Sequence, residues 1–97
     1  MYSITVLLQA AEGKEDELGR LMSDTAAKVA QNEKETITYV ALRNINNHSE
    51  FLFYEQYISK ENWEQVHMKM PYIVEFVEML PNLTIGEVNI TEFETID

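Results

Sequence analysis

The stretch from Glu50 to Tyr72, EFLFYEQYISKENWEQVHMKMPY, limits the possible folds more than any other part of the chain. It opens as a strand that is apolar on both sides: Phe51, Phe53 and Tyr57 on one, Leu52, Tyr54 and Ile58 on the other. Side chains alternate across a strand, so a sheet with one wet face would show apolar and polar residues in turn. This strand has to be covered twice. Ser59 then fits a helix N-cap, with Glu61 and Asn62 in a first turn where negative and small polar groups suit the exposed amides. In the helix so begun, Trp63 and His67 are four residues apart and share a face directed towards the core. An aromatic strand feeding a helix with an inward Trp and His builds one wall of a ligand cavity.

The rest of the chain supplies the other elements. Tyr2 to Gln9 alternates Tyr2, Ile4, Val6 and Leu8 against Ser3, Thr5 and Gln9, a strand pattern. After the connector Ala10–Gly13, the spacing predicts a helix from Lys14 to about Gln31. Its first turn carries Glu15, Asp16 and Glu17, and Leu18, Leu21, Met22, Thr25 and Val29 form one apolar stripe. Asn32 to Glu35 is a charged break, and Thr36 to Asn44, rich in β-branched residues, is a second strand. Asn46-Asn47-His48-Ser49 is a turn joining it to the third strand as a hairpin, with His48 a turn residue in water. Pro71 opens a second short helix running through Leu80, with Ile73, Val74, Val77 and Leu80 turned inward. Thr84 to Phe93 is the last strand; Ile85 and Phe93 are out of phase with Val88 and Ile90, which places a bulge near Gly86.

The order β-α-β-β-α-β predicts a ferredoxin-like α+β layer over residues 1–97 as one domain: a four-stranded antiparallel sheet with both helices on one face. The doubly apolar third strand then needs cover on the face without helices. A second copy of the same sheet is the economical answer, so a homodimer is expected.

Composition removes several function classes. At 97 residues and 45% hydrophobic content the chain has enough apolar material for a core and some to spare for an interface. Seventeen acidic against seven basic side chains give a net charge of −10, which speaks against nucleic acid and anionic membranes as partners. The chain has no cysteine, so disulfides, thiolate nucleophiles and thiolate metal sites are excluded. The two histidines and scattered carboxylates lack metal-ligand spacing, and three glycines make no phosphate loop. No signal peptide or membrane span is visible, so a cytoplasmic protein is expected.

The pattern resembles the antibiotic biosynthesis monooxygenase family. The resemblance is carried by the element order, Gly13-Lys14 opening the first helix, Tyr54-Glu55-Gln56-Tyr57 in strand three, Ser59 after it, and His67 and Pro71. It implies a dimeric α+β barrel in which two sheets pack face to face, with a substrate cavity between sheet and helices in each subunit. It also implies oxygen insertion into a phenolic or quinol-like small molecule without metal, flavin or haem. The chain departs from the pattern in several places: Tyr57 replaces the usual Trp, Phe53 stands where the polycyclic-phenol oxygenases have Asn, Trp63 stands where they have Tyr, His67 comes one residue late after strand three, and Glu33-Lys34-Glu35 replaces the Pro-Gly common before strand two. The family's haem-degrading branch needs a His about where Val77 lies, so the resemblance implies no haem.

Such chemistry needs a base that makes the bound ring electron-rich, in a site that keeps water away. Histidine is the side chain that ordinarily changes charge near neutrality, so His67 is the candidate base or hydrogen-bond anchor. It also fits a half-exposed helix residue with no role. Glu55 shares a side with Phe53 and Tyr57, and a carboxylate there is either raised in pKa and fit for proton transfer or bonded to Arg43 or backbone across the dimer. Phe53, Tyr57, Trp63 and Tyr72 can wall a flat aromatic ligand by stacking, as can Tyr39; each also fits plain core packing. A non-oxygenase binding, isomerase or signal-degradation protein on the same fold is the alternative reading.

Overall fold

The third strand, β3 (Glu50–Tyr57), lies inside a four-stranded sheet of order β2-β3-β1-β4 in the computed structural model, which describes residues 1–96. Its neighbours are β1 (Tyr2–Gln9) and β2 (Thr36–Arg43), and β4 (Asn89–Glu94) closes the other edge beside β1. All three pairings are antiparallel. Three helices follow the expected order: α1 (Glu15–Asn32), α2 (Lys60–Gln65) and α3 (Pro71–Met79). The ferredoxin-like arrangement is therefore present.

The core lies between the sheet and α1 and α3. Phe51, Phe53 and Tyr57 of β3 and Ile4, Val6 and Leu8 of β1 meet Leu18 and Met22 of α1 and Phe76 of α3. The α1 stripe buries Leu18, Met22, Thr25 and Val29 as its spacing requires. Thr25 satisfies its hydroxyl by donating to the Leu21 carbonyl at 2.8 Å. Gly19 lets the helix approach β3 closely, since a Cβ there would stand 3.3 Å from the Phe51 ring.

The two sides of β3 meet different fates. Phe51, Phe53, Glu55 and Tyr57 are buried under the helices. On the opposite face the register aligns Leu42, Leu52 and Leu7 in one row and Val40, Tyr54 and Thr5 in the next. Val40, Leu42, Tyr54 and, from β4, Phe93 are exposed in the single chain.

Three expectations about elements need correction. The helix after Ser59 ends at Gln65; Val66 caps it, still in the right-handed helical region, and His67 opens a separate 3-10 turn, His67–Lys69. On α3 the inward residues are Ile73 and Phe76, followed by Leu80, whereas Val74 and Val77 are 44% and 46% exposed. Phe76 wins that face because its large ring packs edge-on against Phe53, with centroids 5.5 Å apart. The last strand starts at Asn89 rather than Thr84, because Gly86 adopts φ +71° and turns the chain. Thr84 makes only an isolated bridge to Ala10, and between that pair and Leu7–Asn89 the last segment carries two residues more than β1, so the irregularity expected near Gly86 is present; β2 has another, between Thr36 and Thr38.

Ser59 behaves as its sequence position dictates: its Oγ accepts from the Asn62 amide at 3.1 Å. Ser59→Ala is expected to cost about 1 kcal/mol in thermal or urea unfolding, the usual worth of an N-cap. A variant as stable as wild type would show that packing of Asn62 and Trp63 alone holds α2.

Candidate active site

The sheet and the α2–α3 segment border a half-open cavity of about 610 Å³. Ile4, Val6 and Phe53 form its floor, and Phe76, Val77 and Leu80 stand opposite. Near these apolar walls three polar side chains gather: Tyr39, Glu55 and His67. A mostly apolar cavity with a few convergent polar groups is the usual form of a small-molecule site.

His67 is 2% exposed and held on both sides. Its Nδ1 lies 2.7 Å from Glu33 Oε1, and its Nε2 lies 3.8 Å from Glu55 Oε1. A carboxylate can only accept, so Nδ1 carries the proton towards Glu33, and Nε2 is left as the basic nitrogen on the Glu55 side. The rings of Tyr39 and Tyr57 flank the imidazole at 5.2 and 5.1 Å.

Glu33 caps the C-terminal end of α1 in extended geometry, and its side chain turns inward. There it accepts three bonds: from His67, from the Tyr72 hydroxyl at 2.5 Å and from the Thr36 hydroxyl at 2.9 Å. Burial pushes its pKa up, but those donors outweigh burial and hold the carboxyl below its ordinary value. Glu55, 3% exposed, has less help. Burial pushes it up to about 7, against the opposing pull of the Tyr57 hydroxyl, which donates at 2.5 Å, and of His67. Two buried carboxyls on either side of one imidazole are thus driven apart, one ionised and one able to hold a proton near neutrality.

The structure sorts the expected site residues. His67, Glu55, Phe53 and Trp63 line the cavity. Tyr57 and Tyr72 do not; each hydroxyl is committed to a carboxylate behind it. Trp63 packs tilted against Tyr2 with centroids 5.7 Å apart, and its buried Nε1–H has no acceptor among the described residues. Within the single chain Arg43 does not bond Glu55: its guanidinium covers the Phe51 ring at 5.0 Å, and its Nε donates to the His48 carbonyl. Sequence reasoning missed Glu33 and Phe76. Glu33 stands in a Glu-Lys-Glu run that reads as a solvated break, and nothing in the sequence separates it from Glu35.

The sequence profile of the antibiotic biosynthesis monooxygenase family matches residues 1–79. The chain belongs to that family. A search of curated proteins gave no match. Among solved structures, a putative antibiotic biosynthesis monooxygenase from Nitrosomonas europaea superposes with a TM-score of 0.91 at 11% identity, covering 100% of both chains. A putative family member from Deinococcus radiodurans gives 0.88 at 18% identity, over 100% of this chain and 94% of that one. A possible oxidoreductase from Bacteroides thetaiotaomicron gives 0.86 at 17%, over 97% and 96%. At such identities the superpositions speak for the fold alone. In this member of the monooxygenase family, no cluster of potential metal ligands occurs among the described residues, and no helix among them is long and apolar enough to cross a membrane.

Proposed function

We propose that this chain is a cofactor-independent monooxygenase acting on a small phenolic or quinol-like metabolite, and that it works as a homodimer. The observation carrying the reading is His67, fixed by Glu33 through Nδ1, with Nε2 on the wall of an apolar cavity beside Glu55. A bound ring with its hydroxyl near Nε2 loses its proton to the imidazole, and the resulting phenolate gives an electron to oxygen. One oxygen atom enters the ring. The other leaves as water with the two hydrogens lost by the substrate. Glu55, which holds a proton up to about pH 7, is the donor for that departing oxygen. Phe53, Phe76 and the other apolar walls exclude water from the reactive intermediates. No metal or flavin is called on for electrons, because the substrate supplies them.

The dimer is supported by the sheet face away from the helices, where Val40, Leu42, Tyr54 and Phe93 stand exposed. Sedimentation should give a dimer at micromolar concentration. A lone chain there would overturn this part.

Oxygen uptake with a panel of hydroquinones and anthrols, without added metal or flavin, tests the activity. His67→Ala is expected to lower kcat by about 10²-fold or more, the usual contribution of a positioned base. Turnover of a panel member with no oxygen consumed would instead support an isomerase on the same fold, and uptake unchanged in His67→Ala would remove His67 from the mechanism.

A further inference from the structure

Glu33 borders a second space that the reaction described above does not use. A polar cleft of about 380 Å³ is lined by Asn32, Glu33, Lys34, Glu35, Thr36 and Asn62, together with Val66. It shares no lining residue with the apolar cavity. The 2.7 Å contact between His67, on the cavity, and Glu33, on the cleft, joins the two.

We propose that the His67–Glu33 pair is a proton wire between the apolar cavity and water in the polar cleft. The proposal rests on the reading of the cavity as a place where a hydroxyl is ionised. On ionisation the substrate O–H bond breaks and Nε2–H forms, while Nδ1–H breaks and a proton arrives on Glu33 Oε1. Glu33 then gives it to cleft water. When the second oxygen atom leaves as water, a proton returns along the same path and the imidazole regains its starting tautomer. The count over a full turnover is zero, so the outward step becomes visible only when oxygen is withheld.

Two observations favour this route over Glu55. Glu55 bonds the buried Tyr57, faces His67 and lines the apolar cavity but not the polar cleft, so a proton placed there stays on the cavity side. Glu33 reaches the cleft, and its donors His67, Tyr72 and Thr36 favour the ionised form, so it sheds a proton rather than keeping it. Around the wire the titratable neighbours are Glu55, Tyr39 and Tyr57 on the cavity side and Tyr72, Lys34 and Glu35 on the other.

The test is anaerobic stopped-flow mixing with the hydroquinone and anthrol panel in weak, mildly alkaline buffer. Phenolate absorbance and a pH-indicator dye are followed together. Wild type is expected to release a proton as phenolate appears. Glu33→Gln keeps an acceptor for Nδ1–H but cannot carry a proton, so ligand affinity should stay while phenolate formation and proton release slow about tenfold or more. Release as fast as wild type would overturn the wire and leave Glu33 as a positioning residue. Phenolate without release would overturn it too, since the proton then stays on Glu55. A wild type that binds panel members without ionising any would overturn the proposed oxygenase chemistry and the wire with it. Should Glu33→Gln fail to fold, Val66→Phe fills the cleft without touching the cavity; unslowed release in that variant likewise overturns the proposal.

Discussion

Glu33→Ala is expected to lower the free energy of unfolding by about 3–5 kcal/mol, the cost of removing one partner from a buried charge-assisted network. The carboxylate accepts from the Nδ1 of His67, the hydroxyl of Tyr72 and the hydroxyl of Thr36. Alanine takes the acceptor from His67, which is 2% exposed, while the half-buried Tyr72 and Thr36 hydroxyls are left to water. Glu33→Gln keeps an acceptor oxygen for His67 and should cost only about 1–2 kcal/mol. Urea unfolding at fixed protein concentration measures both, the fixed concentration mattering because the apparent stability of the proposed dimer would depend on it. An alanine variant within about 1 kcal/mol of wild type would mean that the network does not hold the end of α1 to α3.

The second large effect is a fall in stability as pH rises, traceable to Glu55. Its carboxyl titrates at about 7 in the fold against an ordinary value of 4.5. Between those values the unfolded chain has lost its proton and the folded chain has not, so folding takes up a proton and raising the pH works against it. Stability from this group is therefore full below about 4.5 and lost as pH climbs through about 7, a total of about 3 kcal/mol. Glu33 has the opposite sign: it is held below its ordinary value, so its contribution is present above that value and is lost as the pH falls through its folded one. Maximum stability at mildly acidic pH follows. The net charge of −10 adds repulsion in the same alkaline direction as Glu55. Glu55→Gln keeps an acceptor for Tyr57 and removes the titration, so it should flatten the alkaline limb and leave the variant more stable than wild type above neutrality. Parallel curves for the two proteins would show that Glu55 does not carry the slope. A stabilising substitution at the candidate proton donor is what a site kept for chemistry at the expense of stability would give.

The candidate site was legible only in part, for reasons specific to its residues. Glu55 stands out because a carboxylate interrupts the apolar side of β3, and Trp63 and His67 because they follow a readable N-cap. Their common destination was foreseen, although by an unbroken helix that ends at Gln65. Tyr57 and Tyr72 looked like walls because a sequence shows that a ring is present and not where its hydroxyl goes. Both hydroxyls go to carboxylates. On α3, Val74 and Val77 were expected inward and Phe76 was passed over, because the apolar residues there cover more than one face. The angle at which the helix meets Phe53 decided among them.

Alternation along β1, the stripe on α1 and the doubly apolar β3 fixed the element order and the sheet, since backbone geometry imposes the side-chain period whatever the rest of the chain does. What surrounds the imidazole was settled only in three dimensions. Glu33 and His67 are 34 residues apart and meet at 2.7 Å because the end of α1 is packed beside the turn before α3. Local sequence carries period and propensity; it holds no record of which distant donor will neutralise which buried charge. That pairing depends on closure of the core, and it turns a histidine on a cavity wall into a candidate base.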